Sequence, residues 1–504
     1  MRRAVMRDPS MYAAPHRDRE RIDGLATFAA AAFLTALGLV AALARVGAPD
    51  RVVAALGPLV AVMGLITLGL VNRTARLGDF LAARRAVPPF YAGMALAASA
   101  AGLALAFGGE AVDAFAPWPA AAAGLVGAAL IVGPLLRRAN ASAPADVLAT
   151  RFPAAPIRLV FALAIFVVGG LTAAAGFAVA VDTLAATAGL SRRLAEIAIA
   201  ATLIAGVVPG GLKGLLWSDA ASAGAALAVA AIGAALAWSG GDGGGGAAAD
   251  WLAIPAEPND AAFLLRSAAG ALALAGFLPF AMPSLGAPQG EAQRAGGIGL
   301  LLALIAAALG AAAWVGFAGG AAAARSPTAT ALVGAAAWLP AAALARAGVV
   351  TAGRGFGVDL SAAYARFAVL ASRRIARSRL TMLLVIAASA VAADRGLVDS
   401  PRALAWALGL NLALVTPAIA LALAERGGSR SAAILLATAA VTFAAALGPA
   451  WRAAQPPQIL VAALVAGALG LLAGALGALF ERRQTPSDEA RFDPFADLPF
   501  AAPE

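Results

Sequence analysis

The sequence contains no cysteine, which excludes disulfides, zinc–thiolate centres and thiol nucleophiles. It has one histidine, His16, ahead of the first long apolar segment, so imidazole base catalysis and multi-histidine metal sites are excluded from the core. Charge is scarce as well. Only 13% of the 504 residues are charged, where a soluble protein carries about 25%. Instead 62% are hydrophobic, and the mean hydropathy is +0.85. A chain so poor in polar side chains cannot coat itself for water, whereas a bilayer needs no such coat. The net charge of +10 comes from basic residues spread over short connectors, which fits membrane orientation and not nucleic-acid binding.

A bilayer-spanning helix needs about 20 mostly apolar residues. Such segments fall at 25–46, 51–72, 88–108, 118–136, 157–182, 193–211, 214–239, 262–286, 294–319, 328–353, 379–394, 402–424, 430–449 and 457–480. They predict an all-α integral membrane protein of about 14 transmembrane helices, because backbone polar groups in hydrocarbon must be satisfied within the segment. The first segment has no small-residue cleavage site near its end and reads as a retained helix, not a signal peptide. Arginines crowd the connectors 73–87, 137–158 and 354–379, which places these connectors and both chain termini in the cytoplasm of a multi-pass bacterial inner-membrane protein. A cytoplasmic tail over 1–24 is expected, with a Gly-rich external loop over 240–261 and a disordered, Pro- and acid-rich tail over 481–504. No G-x-x-x-x-G-K-[ST] sequence occurs, and no stretch is long enough for a soluble nucleotide-binding domain. An ATP-driven pump or a soluble-type enzyme is therefore not expected, and neither is a cofactor.

Four ordered motifs carry a family resemblance. The first is Asp79, Phe80, Leu81, Ala83, Arg85, Val87 and Pro88, followed by Gly93, Met94 and Ala95. The second is Ala145-Asp146-Val147-Leu148 with Arg151-Phe152. The third is Gly210-Gly211-Leu212-Lys213-Gly214 leading to Trp217-Ser218-Asp219. The fourth is Ala275-Gly276-Phe277-Leu278-Pro279 followed by Glu291-Ala292-Gln293-Arg294. Together, over roughly residues 20–450, they resemble the sodium:solute symporters, most nearly the acetate and monocarboxylate branch. The resemblance implies an inverted five-plus-five helix core, over 88–239 and 262–424, with two leading helices in 25–72 and two trailing helices in 430–480. It implies transport of a small organic solute, with sodium bound near broken helices at the midplane. The glycines Gly93, Gly102, Gly108 and Gly109 make 88–108 the expected place of a break.

Matching the family residue by residue gives an altered ion site. Sodium wants about five or six oxygen ligands. Where the family places two hydroxyls on the eighth core helix, this chain has Ala345 and Arg346. On the first core helix the corresponding run is Ala97-Ala98-Ser99-Ala100-Ala101-Gly102, with Ser99 in place of an acid and Gly102 in place of a hydroxyl. Phe280 follows Pro279 where the family has histidine. The ion-site positions by resemblance are thus Ala98, Ser99, Gly102, Asp219, Ala345 and Arg346. Gly93, Met94, Phe107 and Phe280 are the candidates for the solute path. Arg346 reads in two ways, as a tethered cation standing in for sodium or as an arginine snorkelling to the cytoplasmic side. Asp219 reads as its buried partner or as an interfacial acid. Asp182, Glu110 and Asp113 are candidates for an outer vestibule, and Arg266 and Lys213 for interfacial anchors. Three functions stay open at this point: a sodium-coupled carrier, a sodium-independent or proton-coupled carrier, and a non-transporting sensor or assembly component. The expected partners are the lipid bilayer, the solute, sodium or a proton, and a small membrane subunit.

Overall fold

The computed structural model describes residues 15–107, 118–138, 148, 152, 154–239, 261–288, 290–319, 327–360, 371–424, 428–448 and 453–480. Glu110, Asp113, Gly108, Gly109, Asp146 and Arg151, most of the Gly-rich loop and the C-terminal tail lie outside them. The first helix, α1 (Pro15–Arg45), begins inside the stretch expected as a polar tail. It is followed by α2 (Asp50–Val71) and a short α3 (Leu77–Ala82). The first core half holds α4 (Pro89–Phe107), α5 (Trp118–Val126), α6 (Ala155–Ala188), α7 (Arg192–Val207) and α8 (Leu212–Ser239). Helix α5 continues through a π-helical segment, Gly127–Val132, to Arg138. The second half holds α9 (Ala261–Ala275), α10 (Leu278–Gly286), α11 (Ala292–Gly319), α12 (Pro327–Ala336), α13 (Leu339–Arg354), α14 (Ala371–Asp394), α15 (Ser400–Leu410) and α16 (Thr416–Leu423). Helices α17 (Ser429–Leu447) and α18 (Pro456–Phe480) pack against each other at the end of the chain.

Each expected apolar segment holds a helix, and among the described residues 13 of the 14 expected spans are long and apolar enough to cross a membrane. The expected span 193–211 is the exception. Its helix α7 has 16 residues and gives way at Val208–Gly211 to a turn, where Gly211 adopts φ +58.

The breaks differ from the sequence expectation. Helix α4 runs unbroken through Gly93 and Gly102. A Cβ at Gly102 would stand 2.1 Å from the Pro340 carbonyl oxygen, and one at Gly93 would stand 2.8 Å from that of Ala295. These glycines let α4 press against α13 and α11, the use of small residues that membrane helix packing favours. The expected helices 262–286 and 328–353 are the broken ones. Pro279 and Pro340 sit in the first turn of α10 and α13, where the missing N–H costs nothing, and each disfavours a helical residue before it. Helix α6 lies along α13, α4 along α11, and α5 along α9, and of the broken elements α10 and α13 are buried along their whole length.

Candidate functional site

Helix α13 is buried at every residue from Leu339 to Arg354. A charge in its middle must find a partner from a neighbouring helix or go unpaired. Arg346 finds it on α8. Its Nε donates to Asp219 Oδ1 at 2.6 Å, and its Nη2 donates to Ser222 Oγ at 2.6 Å. Ser222 Oγ in turn donates to the Ser218 carbonyl oxygen at 2.8 Å. Asp219 and Ser222 lie three apart on one helix face, a spacing that presents a carboxylate and a hydroxyl to one edge of the planar guanidinium. Arg346 is 0% and Asp219 1% exposed. The side chain is thus held sideways by α8 and does not snorkel along its own helix. Arg346 Nη1, Ser218 Oγ and Ser99 Oγ are buried and have no hydrogen-bond partner among the described residues.

The other positions that the resemblance assigns to the ion site lie on α4 and α13, the first of which packs against both helices of the pair. Ala98 of α4, Ala223 of α8 and Ala343 of α13 meet in one apolar contact, with Met94 against it. Ala345 faces the other way, since a Cβ at Gly176 on α6 would lie 2.6 Å from the Ala345 backbone nitrogen. Gly102 is occupied by its contact with Pro340. The structure therefore brings Ala98, Asp219 and Arg346 to one junction of α4, α8 and α13, and turns Ala345 toward α6. Both of the α8 oxygens that face this junction, Asp219 Oδ1 and Ser222 Oγ, are engaged by Arg346.

Of the solute-path candidates, Phe107 and Phe280 belong to one buried apolar cluster together with Leu103, Phe277 and Leu344. Phe277 and Phe280 contact edge to face at 5.2 Å. Gly93 serves packing against α11, and Met94 lies against Gly224 of α8. Asp182 pairs with Arg192 at 3.2 Å on an exposed surface, a contact of small energetic weight. Arg266 is exposed and donates to the Ala262 carbonyl of its own helix.

Sequence reasoning missed Asn411. It opens a π-helical segment, Asn411–Val415, between α15 and α16. Its Nδ2 donates to the Gly276 carbonyl oxygen at 2.7 Å and to Thr416 Oγ1 at 3.0 Å. Gly276 lies in the break between α9 and α10, so a side chain supplies the donor that a continuous helix would have given. No spacing rule announces a π segment, although an asparagine in an apolar helix is itself a signal. Asn411→Leu leaves a buried carbonyl unpaired and is expected to lower stability by about 1–3 kcal/mol. Thermal unfolding of the detergent-purified variant checks this, and an unchanged midpoint would refute the bridging role.

No family model matches the sequence, and no curated protein matches it significantly. Solved structures do match. A Na+-coupled sialic acid symporter, in a substrate-bound outward-open state, aligns with a TM-score of 0.66 at 14% identity, covering 86% of this chain and 98% of that one. The fold is that of an inverted-repeat transporter. Mhp1, a nucleobase-cation-symport-1 family transporter in a closed conformation with bromovinylhydantoin bound, aligns with a TM-score of 0.40 at 16% identity, covering 83% and 97%. In this transporter fold the Arg346–Asp219 pair is buried between a helix of each half of the chain.

Proposed function

We propose that the chain is a secondary carrier of a small organic solute that works by alternating access without a sodium gradient, with Arg346 fixed in the place where the sodium:solute symporters hold sodium. One observation carries the reading: a fully buried guanidinium, bound by Asp219 and Ser222, stands at the junction of α4, α8 and α13. A positive charge covalently attached to α13 never leaves, so no ion need be bound outside and released inside. Asp219 completes the substitution, because a paired carboxylate has no need of a mobile cation. The halves 88–239 and 262–424 rock about this junction, and the solute sits near the break between α9 and α10 beside Phe107 and Phe280. The motif around Asp79–Pro88 supports a monocarboxylate such as acetate as the solute. The arginine-rich connectors support a cytoplasmic membrane setting with both termini inside.

The alanines that meet at Ala98, Ala223 and Ala343 favour a second reading, a carrier fold that senses or assembles and does not transport. Uptake of labelled acetate, propionate and pyruvate into proteoliposomes, with and without a sodium gradient, separates the two. The expected result is uptake of at least one acid that is indifferent to sodium. Uptake that requires sodium overturns the tethered-cation reading, and absence of all uptake by folded protein supports the sensor reading.

A further inference from the structure

The segment between α2 and α4 is the most strained stretch of backbone among the described residues. Ala83, Arg84 and Arg85 adopt φ of 48°, 53° and 56°, three successive non-glycine residues in the left-handed region. L-residues visit that region singly and at a cost, because the Cβ crowds the following carbonyl. Such strain persists where surrounding contacts impose it, and it concentrates at switches and clamps.

The contacts that impose it are specific. Helix α3 is a short plug, with Leu77, Asp79, Phe80, Leu81 and Ala82 all buried. Arg354, at the end of α13, donates to the Leu81 carbonyl oxygen and to Met282 Sδ of α10. Arg379 of α14 donates to the carbonyl oxygens of Thr74 at 2.6 Å, Pro209 at 2.8 Å and Val208 at 3.1 Å. Its guanidinium lies 5.6 Å from the Phe80 ring centre. Arg84 pairs with Asp79, and the Val87 N–H donates to the Gly286 carbonyl at the end of α10. The segment is thus laid across the ends of α7, α8, α10 and α13 and against α14, and arginines of α13 and α14 tie it by its backbone carbonyls.

It also lies near the buried pair along α8. A Cβ at Gly286 would meet Leu216 of α8 at 2.4 Å and Ala83 at 3.8 Å, so Ala83 sits at the level of Leu216. Asp219 follows three residues later on α8, about 4.5 Å further along the helix. Helix α13 carries Arg346 in its middle and Arg354 at its end, so the helix that holds the pair also holds the plug.

We propose that residues 77–87 are a sprung strap that closes this end of the path, held shut by Arg354 and Arg379 and driven open by release of the left-handed strain at Ala83–Arg85. The proposal rests on the carrier reading only for what lies behind the strap. Its test needs no solute, so it fails or stands separately from that reading. The chain has no cysteine, and Ala82→Cys places a single thiol on a residue 1% exposed. Labelling of the purified full-length protein by a polar maleimide then reads how often the strap lifts, provided that reclosing outpaces the chemistry. Ala83→Gly relieves the left-handed strain and is expected to slow labelling several-fold. Ala83→Val, whose branched side chain suits that region least, is expected to speed it about tenfold, as are Arg354→Gln and Arg379→Gln. The opposite signs at one residue separate a sprung strap from general loosening. If Ala83→Val does not fold, the slowing by Ala83→Gly and the acceleration by either arginine variant carry the test. Equal rates in the folded variants, or glycine and valine moving the rate in the same direction, overturn the proposal.

Discussion

Arg346→Met is expected to destabilise the protein by about 3–5 kcal/mol, the largest effect of any single substitution at the junction. Methionine matches the length of the arginine stem and replaces its packing, so the loss isolates charge. What remains is an Asp219 carboxylate that is 1% exposed and has lost its cation. An unpaired buried charge is the costly species, more so than a missing pair. Asp219→Leu combined with Arg346→Met removes both charges and is expected to recover most of the lost stability. Chemical or thermal unfolding of the two detergent-purified variants measures the difference. A double variant no more stable than Arg346→Met would show that the shape of the junction dominates and that the ion pair is secondary. Transport is expected to fail in both, because stability can be restored by apolar packing and a fixed positive charge cannot.

That contact illustrates what the sequence made legible. Two charges in apolar helices 127 positions apart announce themselves, since each is expensive alone in a bilayer. The helical segments were legible for a related reason: a bilayer forces each span to be long, apolar and self-satisfied. Ser222 is open to the same reasoning, three residues after Asp219 on the same helix face. The helix breaks are harder to place. Gly93 and Gly102 look like breakers, yet a glycine in a membrane helix equally serves close packing, and the neighbours that decide between the two come from distant sequence. Pro279 and Pro340 were the better signal, because a proline constrains its own helix directly. The left-handed run Ala83–Arg85 gives no sign in the sequence at all. Alanine and arginine prefer a right-handed helix, and only the surrounding contacts hold them elsewhere. Asn411 falls between these cases, visible as a polar residue in an apolar segment but without an assignable partner until Gly276 was placed opposite it.

The second large effect concerns sodium itself. A ligand that binds the native state stabilises it by about 2.7 kcal/mol at one hundred times its dissociation constant. On the tethered-cation proposal no such term is expected from sodium in the wild-type protein, because the guanidinium takes the ion's place and Asp219 is engaged. Ala345→Ser with Arg346→Thr restores the two hydroxyls that the symporter family carries and frees Asp219 and Ser222 as oxygen donors. Ala345 faces α6, so the serine needs a small rotation of α13 to reach the junction, and the restored site is expected to be weaker than a native one. Its response to sodium is nonetheless expected to be large against a background of none.

The most direct measurement is the unfolding midpoint of wild type and of the Ala345→Ser, Arg346→Thr variant, titrated with sodium chloride against choline chloride at equal ionic strength. The account predicts a wild-type midpoint that is the same in both salts and a variant midpoint that rises with sodium alone. A wild-type protein stabilised specifically by sodium would contradict it, since a sodium ion would then be bound while Arg346 holds its place.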